Sequence, residues 1–192
     1  MKIIDASKED APLIAEAILE AVGPEIILNL AGKRNTIEDV RGIFMRLAAR
    51  EDSQYSYINS RIARDQEGKP MGVCVSYDGA DLIRLRRPFF KEANRVLGWE
   101  MKEEEIDALP GETSPDEYYL DTLMTLPEHR GKGVGRALIL DALSKARQRN
   151  KPLGLLCDME NKRARRLYDA VGFIKHSQRP FAGHLMDNLR LI

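Results

Sequence analysis

The chain has 192 residues, 43% of them apolar, with 30 Lys plus Arg balanced by 30 Asp plus Glu. Zero net charge argues against a general nucleic-acid binder. A chain this long buries a core without disulfides or metal, and no apolar run approaches bilayer length. The two cysteines (Cys74, Cys157) and three histidines (His129, His176, His184) are isolated, without the paired spacing of a zinc site. Met1–Asp5 lacks the apolar core of a signal peptide, so the expected setting is cytoplasmic, with no metal and no membrane partner.

In chain order, residues 2–5 read as a strand. Ser7, with Asp10 three residues on, then opens a helix whose buried face is Ala11, Ile14, Ala15, Ile18, Leu19 and Val22. Gly23 stops it and Pro24 opens a short apolar helix. Thr36 caps a third, with Val40, Ile43, Phe44, Leu47 and Ala48 inward. From Tyr55 the period falls to two, predicting a hairpin of strands 56–64 and 70–77. Residues 79–97 are helical around Pro88, either as two short helices or as one kinked helix. Residues 100–117 read as an exposed acidic linker, 118–126 as a strand and Gly133 to about Asn150 as a helix. A strand at 152–158, a helix at 161–171 ended by Gly172, and strands near 173–178 and 183–191 complete the chain. This order predicts one α/β (α+β) domain over 1–192: a mixed sheet of about six to seven strands with helices on both faces, and a helical insertion at about 78–100.

Charge is unevenly placed. Residues 100–117 hold eight acids and one base, whereas 129–166 hold eleven bases and three acids. The basic stretch begins at Leu126-Pro127-Glu128-His129-Arg130-Gly131-Lys132-Gly133-Val134-Gly135-Arg136, a strand end running through a glycine-rich turn into a helix. The first turn of a helix has unpartnered N–H groups and the positive end of the macrodipole, and glycines let an anion approach them. Lys132 and Arg136 add charge, which suits a pyrophosphate. The dinucleotide fingerprint fails because Arg136 stands where its third glycine belongs, and no Gly-Lys-Ser/Thr completes a P-loop.

Pro127 and the run Arg130-x-x-Gly133-x-Gly135 resemble the signature of the GNAT superfamily of N-acetyltransferases. A second segment, Asn161, Ala164, Leu167, Tyr168, Gly172 and Phe173, is similar to another of its patterns. The resemblance is strong over residues 118–173 and rests on element order before that. It implies an acetyl-CoA-dependent acyltransferase acting on a small-molecule or peptide amine, with a homodimer common among relatives. It also implies that the amides of Arg130, Gly131, Lys132, Gly133, Val134, Gly135 and Arg136 hold the pyrophosphate. Leu123 and Thr125 would pair with the pantetheine arm, Asn161 would contact the cofactor through its amide, and Tyr168 would sit by the thioester sulfur.

Acetyl transfer to an amine needs a neutral nitrogen, a donor for the charge developing on oxygen, and an acid for the leaving thiolate. A backbone amide near Met124 is the expected donor and Tyr168 the expected acid. Asp121 is the candidate base, with Glu117 behind it. The apolar residues Leu82, Leu85, Phe89, Phe90 and Trp99 suggest that the insertion walls the acceptor site. Two other readings stay open here: a CoA-binding sensor without catalysis, and an interaction module whose basic 145–166 segment meets an acidic partner.

Overall fold

Alternation sets the sheet. Val73 and Val75 point into one apolar cluster and Cys74 into another on the opposite face. The computed structural model describes residues 1–192. Its strands are β1 (Lys2–Asp5), β2 (Ser60–Arg64), β3 (Pro70–Asp78), β4 (Tyr118–Thr125), β5 (Leu153–Asp158), β6 (Ile174–Phe181) and β7 (His184–Leu191). They form one seven-stranded sheet in the order β1-β2-β3-β4-β5-β7-β6. Only β4 and β5 run parallel.

Three helices cover the first face: α1 (Ala11–Val22), α2 (Pro24–Ala31) and α3 (Ile37–Ala48), joined there by part of α4 (Leu82–Leu97). The predicted stripes are the observed ones, because Ile14, Ile18, Ile43, Phe44 and Leu47 are fully buried in that cluster. Helices α6 (Val134–Gln148) and α7 (Lys162–Val171) cover the other face through Leu138, Ile139, Ala142 and Tyr168. The caps form as their sequence suggests. The Asp39 carboxylate accepts the Thr36 N–H at 2.8 Å, and the Thr36 hydroxyl accepts the Asp39 N–H at 3.2 Å.

Three readings differ from expectation, and one open choice is resolved. Ser7 caps a 3-10 turn at Lys8–Asp10, so α1 itself starts at Ala11. The first hairpin strand starts at Ser60, because Tyr57–Asn59 forms a 3-10 turn whose Ile58 N–H bonds the Ser56 hydroxyl at 3.1 Å. Pro88 sits inside one continuous helix, α4. The acidic 100–117 stretch is not simply a linker. It contains helix α5 (Glu103–Ala108), and the guanidinium of Arg86 binds the carbonyls of Ile106 and Leu109 at 2.5 and 2.9 Å. That buried cation gives the Leu109 carbonyl a partner and adds a second donor to the Ile106 carbonyl, which also accepts the Leu109 N–H at 3.3 Å.

One irregularity positions everything that follows. β4 and β5 pair only at Tyr118–Leu153 and Tyr119–Gly154. Beyond Tyr119, β4 stays with β3 as far as Thr125, while β5 stays with β7 as far as Asp158. The sheet therefore splays. At the same point the β3–β4 register shifts, with Val75 opposite Thr122 and Ser76 opposite Leu120, leaving Asp121 as the extra residue of a bulge. A bulge bends its strand and re-aims a side chain.

Candidate active site

Two cavities open along the splay and share a wall. The first, about 540 Å³, runs between β4, the 130–136 turn and α7, and includes Arg130, Gly133, Gly135, Arg136, Arg163 and Tyr168. The second, about 410 Å³, lies on the far side of Leu123 and includes Asp121, Glu112, Tyr119 and Leu156. Glu20, Leu123, Asn161, Ala164 and Tyr168 border both.

The first arm is built for an anion. None of the N–H groups of residues 131–136 finds an acceptor in the protein, and the first α6 bond is from the Ala137 N–H to the Gly133 carbonyl at 3.0 Å. Gly133, at φ 80°, turns the chain in a region that side-chain-bearing residues avoid. Gly135 is required for a different reason. A Cβ there would lie 3.1 Å from Leu167 and 3.4 Å from the Thr125 hydroxyl, filling the groove beside the free amides. Arg136 reaches across to the Ala170 carbonyl at 3.1 Å, tying α6 to the end of α7. Arg130 donates to the Thr125 carbonyl at 3.0 Å and to Glu20 at 2.6 Å, so part of its charge is already met.

Backbone register corrects one expectation. The Leu126 N–H bonds the Met71 carbonyl, so by antiparallel alternation residues 122 and 124 also turn their backbone groups toward β3. Leu123 then presents its N–H and carbonyl to the groove, and Thr125 its N–H, since the Thr125 carbonyl already accepts from Arg130 at 3.0 Å. Met124 does not, and its side chain is buried on the α1–α3 face. The amide available near the splay is that of Leu123. The Lys132 side chain is exposed and does not border the groove, which leaves its unpartnered backbone N–H as what it offers there. Arg163, from the same basic stretch, does border it.

Asn161 caps α7, its Oδ1 accepting the Ala164 N–H at 3.0 Å, which leaves the amide nitrogen at the border of both arms. Seven residues on, Tyr168 lies on the same helical face. It is 9% exposed and stacks edge-on with Phe173 at 5.6 Å between ring centres. Its hydroxyl bonds to nothing in the protein. Burial, and then the neighbouring Cys157 and Cys74, raise its pKa above the ordinary tyrosine value, so it holds its proton at neutral pH.

The second arm contains a carboxylate pair. Asp121 accepts from the Tyr77 hydroxyl at 3.0 Å and from Thr122 at 2.9 Å. Gln54 donates to Glu112 at 3.1 Å and reaches Asp121 at 3.4 Å, bridging the two acids. Burial first, and then the charge of Glu112, push the Asp121 carboxyl up to about 7. Burial raises Glu112 as well. Glu117 is excluded from this chemistry: it is fully buried, bonded to Thr113 at 2.8 Å, to the Ser114 N–H at 3.0 Å and to Arg190 at 2.9 Å. The expected apolar wall from the insertion is also corrected. Leu82 and Leu85 pack on Tyr77 and Tyr119, and Phe89 and Trp99 pack toward α3. No residue of the insertion borders the cavity; the acidic 100–117 stretch that follows it contributes Glu112. Glu112, Glu20 and Arg163 had no motif to mark them.

Residues 37–173 match the model of the acetyltransferase (GNAT) family. No curated protein sequence matches the chain closely enough to add to this. Among solved structures, the chain is similar to an acetyltransferase at 26% identity and a TM-score of 0.72, covering 99% of this chain and 98% of the other. It is also similar in fold to an N-acetyltransferase from Staphylococcus aureus Mu50, with 22% identity, a TM-score of 0.76 and full coverage of both chains. A Corynebacterium glutamicum protein described as histone acetyltransferase HPA2 and related acetyltransferase shares the fold at 22% identity and a TM-score of 0.64, over 98% of this chain and 93% of that one.

Proposed function

Because the chain belongs to the acetyltransferase (GNAT) family, an acetyl-CoA-dependent acyltransferase family, we propose that it moves an acetyl group from acetyl-CoA to a primary amine by direct attack across the splay. The observation that supports this best is the set of acceptor-free amides at 131–136, opening α6 beside a groove that leads to Tyr168. The groove fits the cofactor because free amides at a helix start suit its pyrophosphate, and because Gly135 carries no Cβ, which would lie 3.1 Å from Leu167 and 3.4 Å from the Thr125 hydroxyl and narrow the groove.

Acetyl-CoA supplies a thioester whose carbonyl carbon accepts the amine nitrogen as the C–S bond breaks. Asp121, poised near neutrality, takes the proton that the attacking nitrogen must lose. The Leu123 N–H, facing the groove, donates to the oxygen on which charge develops. Tyr168, still protonated, hands its proton to the departing sulfur. Asn161 and the 131–136 amides hold the cofactor while Leu123 and Thr125 align its arm along β4; the Arg130 N–H is not among them, because it is bonded to the Pro127 carbonyl at 3.3 Å. Acetyl-CoA should raise the melting temperature, because a ligand that binds only the native state stabilises it. Thiol release with an amine panel then tests transfer. Absence of any thermal shift at saturating acetyl-CoA would overturn the cofactor assignment.

A further inference from the structure

The second arm is electrically unbalanced. Its wall carries five carboxylates, Glu20, Glu112, Asp121, Asp158 and Glu160, and no lysine, arginine or histidine. Acids elsewhere in this molecule are widely matched by arginines. Of these five, only Glu20 is in an ion pair, with Arg130 at 2.6 Å. Glu112 and Asp121 find only the neutral donors Gln54, Tyr77 and Thr122. Asp158 accepts the Glu160 N–H at 2.8 Å and nothing cationic. The buried pair Glu112 and Asp121 carries a desolvation cost that a cation would offset, while Asp158, half-buried, and Glu160, exposed, add unmatched negative charge at the mouth of the same cavity. A second feature borders the same space: the Tyr168 side chain, 9% exposed, lies on the wall shared with the groove, and its hydroxyl has no hydrogen-bond partner within the protein.

One ammonium cannot engage all of these acids. The nitrogen to be acetylated needs a single base, and it must lose its charge to react. Between the acids the wall is apolar, with Tyr55, Tyr119, Leu156 and Met186, which suits methylene groups. The volume, about 410 Å³, holds a short chain rather than a folded partner. We propose, building on the acetyl-transfer reading above, that the acceptor is a small aliphatic di- or oligoamine. One nitrogen is acetylated beside Asp121 while a second remains an ammonium held by Asp158 and Glu160. In the step, the amine reacts as the neutral form, having left one proton to solvent; the N–C bond forms, the C–S bond breaks, the proton the attacking nitrogen then sheds passes to Asp121, and the sulfur gains one from Tyr168. The second ammonium is unchanged throughout.

The test compares cadaverine, pentylamine and a lysine-containing tetrapeptide as acceptors at saturating acetyl-CoA, reading thiol release with the full chain. Cadaverine should exceed pentylamine in kcat/KM by about tenfold or more, mainly through KM, since a charge-assisted contact of this kind is typically worth at least a factor of ten. A combined Asp158→Asn, Glu160→Gln variant should lose most of that advantage and leave the pentylamine rate unchanged. Equal use of pentylamine and cadaverine would overturn the proposal. So would a tetrapeptide preferred over cadaverine, or no turnover of any of the three while acetyl-CoA still raises the melting temperature. Loss of that thermal shift would instead remove the acetyl-transfer reading on which the proposal rests.

Discussion

The two arms of the splay offer opposite chemistry. The groove beside α6 offers backbone: free N–H groups at 131–136, with Arg136 and Arg163 at its edge. The arm beyond Leu123 offers side chains from distant parts of the chain, Glu112 from the acidic 100–117 stretch, Asp121 from a bulge and Asp158 from the end of β5. A site made of consecutive amides depends on spacing, which a sequence displays. A site made of scattered carboxylates depends on tertiary contacts, which it does not. Tyr168 stands on the boundary, and the comparison is sharpest there.

The largest effect should therefore follow from Tyr168→Phe. The change removes one hydroxyl that bonds to nothing in the protein and keeps the ring packed on Phe173. Turnover should fall by about 10²–10⁴-fold, the usual contribution of general acid catalysis, with acetyl-CoA affinity and melting temperature close to the parent. Calorimetry and steady-state thiol release check both halves. An unchanged kcat would return Tyr168 to the core.

Next comes the carboxylate pair. Asp121 must be ionised to take a proton, and its carboxyl sits at about 7. The rate should thus decline as pH drops below about 7. Glu112→Gln removes the neighbouring negative charge, which lowers the Asp121 pKa and moves that limb toward acid. Asp121→Asn should cost about 10²-fold in kcat. The same substitution should stabilise the fold at high pH. A carboxyl whose pKa is raised on folding contributes stability that is fully present at low pH and is lost as pH rises through its folded value. Asn keeps an acceptor for Tyr77 without the charge, so its gain in melting temperature, on the order of a few degrees, should grow from pH 5 to pH 8. A gain that shrinks over that range would contradict the assigned shift.

These contrasts explain what the sequence could disclose. The α1, α3 and α6 stripes were legible because helical periodicity reports directly on burial, and the phosphate turn because glycines and helix starts are local. Asp121 was legible as a candidate but not as a poised base, since its environment comes from Gln54, Tyr77 and Glu112, all distant in sequence. Glu117 looked equivalent from sequence and is instead a buried partner of Arg190. Met124 was misplaced by one residue, because strand alternation is decided by a register that only pairing fixes. The aromatic residues of the insertion were read as a wall, yet an apolar run does not say which of two cores it joins.

Within the groove, Gly135→Val should weaken acetyl-CoA binding by at least about tenfold, since even one methyl group would press on Leu167 and Thr125. Helix α6 should survive, as valine costs a helix no more than glycine does. Binding as tight as the parent's by calorimetry would remove the pyrophosphate from this turn. Cadaverine binding, read by thermal shift without cofactor, should hardly respond, because Gly135 borders only the first arm.

The smallest expected effect separates two cations that look alike in sequence. Lys132 lies inside the glycine turn, the place where a phosphate-binding lysine is ordinarily sought, but it is exposed and off the groove. Arg163, the second residue of α7, borders the groove without an ion-pair partner. Exposed charges near a helix-bound anion contribute about 0.3–1 kcal/mol at low salt, a factor of two to five in affinity. Arg163→Gln should raise the acetyl-CoA Kd by about that factor at low ionic strength and by less at high salt, because screening weakens what the charge supplied. Lys132→Gln should give a smaller change under both conditions, with most of the phosphate contact surviving in the backbone. If the order is reversed, and Lys132→Gln weakens binding more than Arg163→Gln across the salt series, the turn holds its anion by side-chain charge, and the contrast between a backbone arm and a side-chain arm fails.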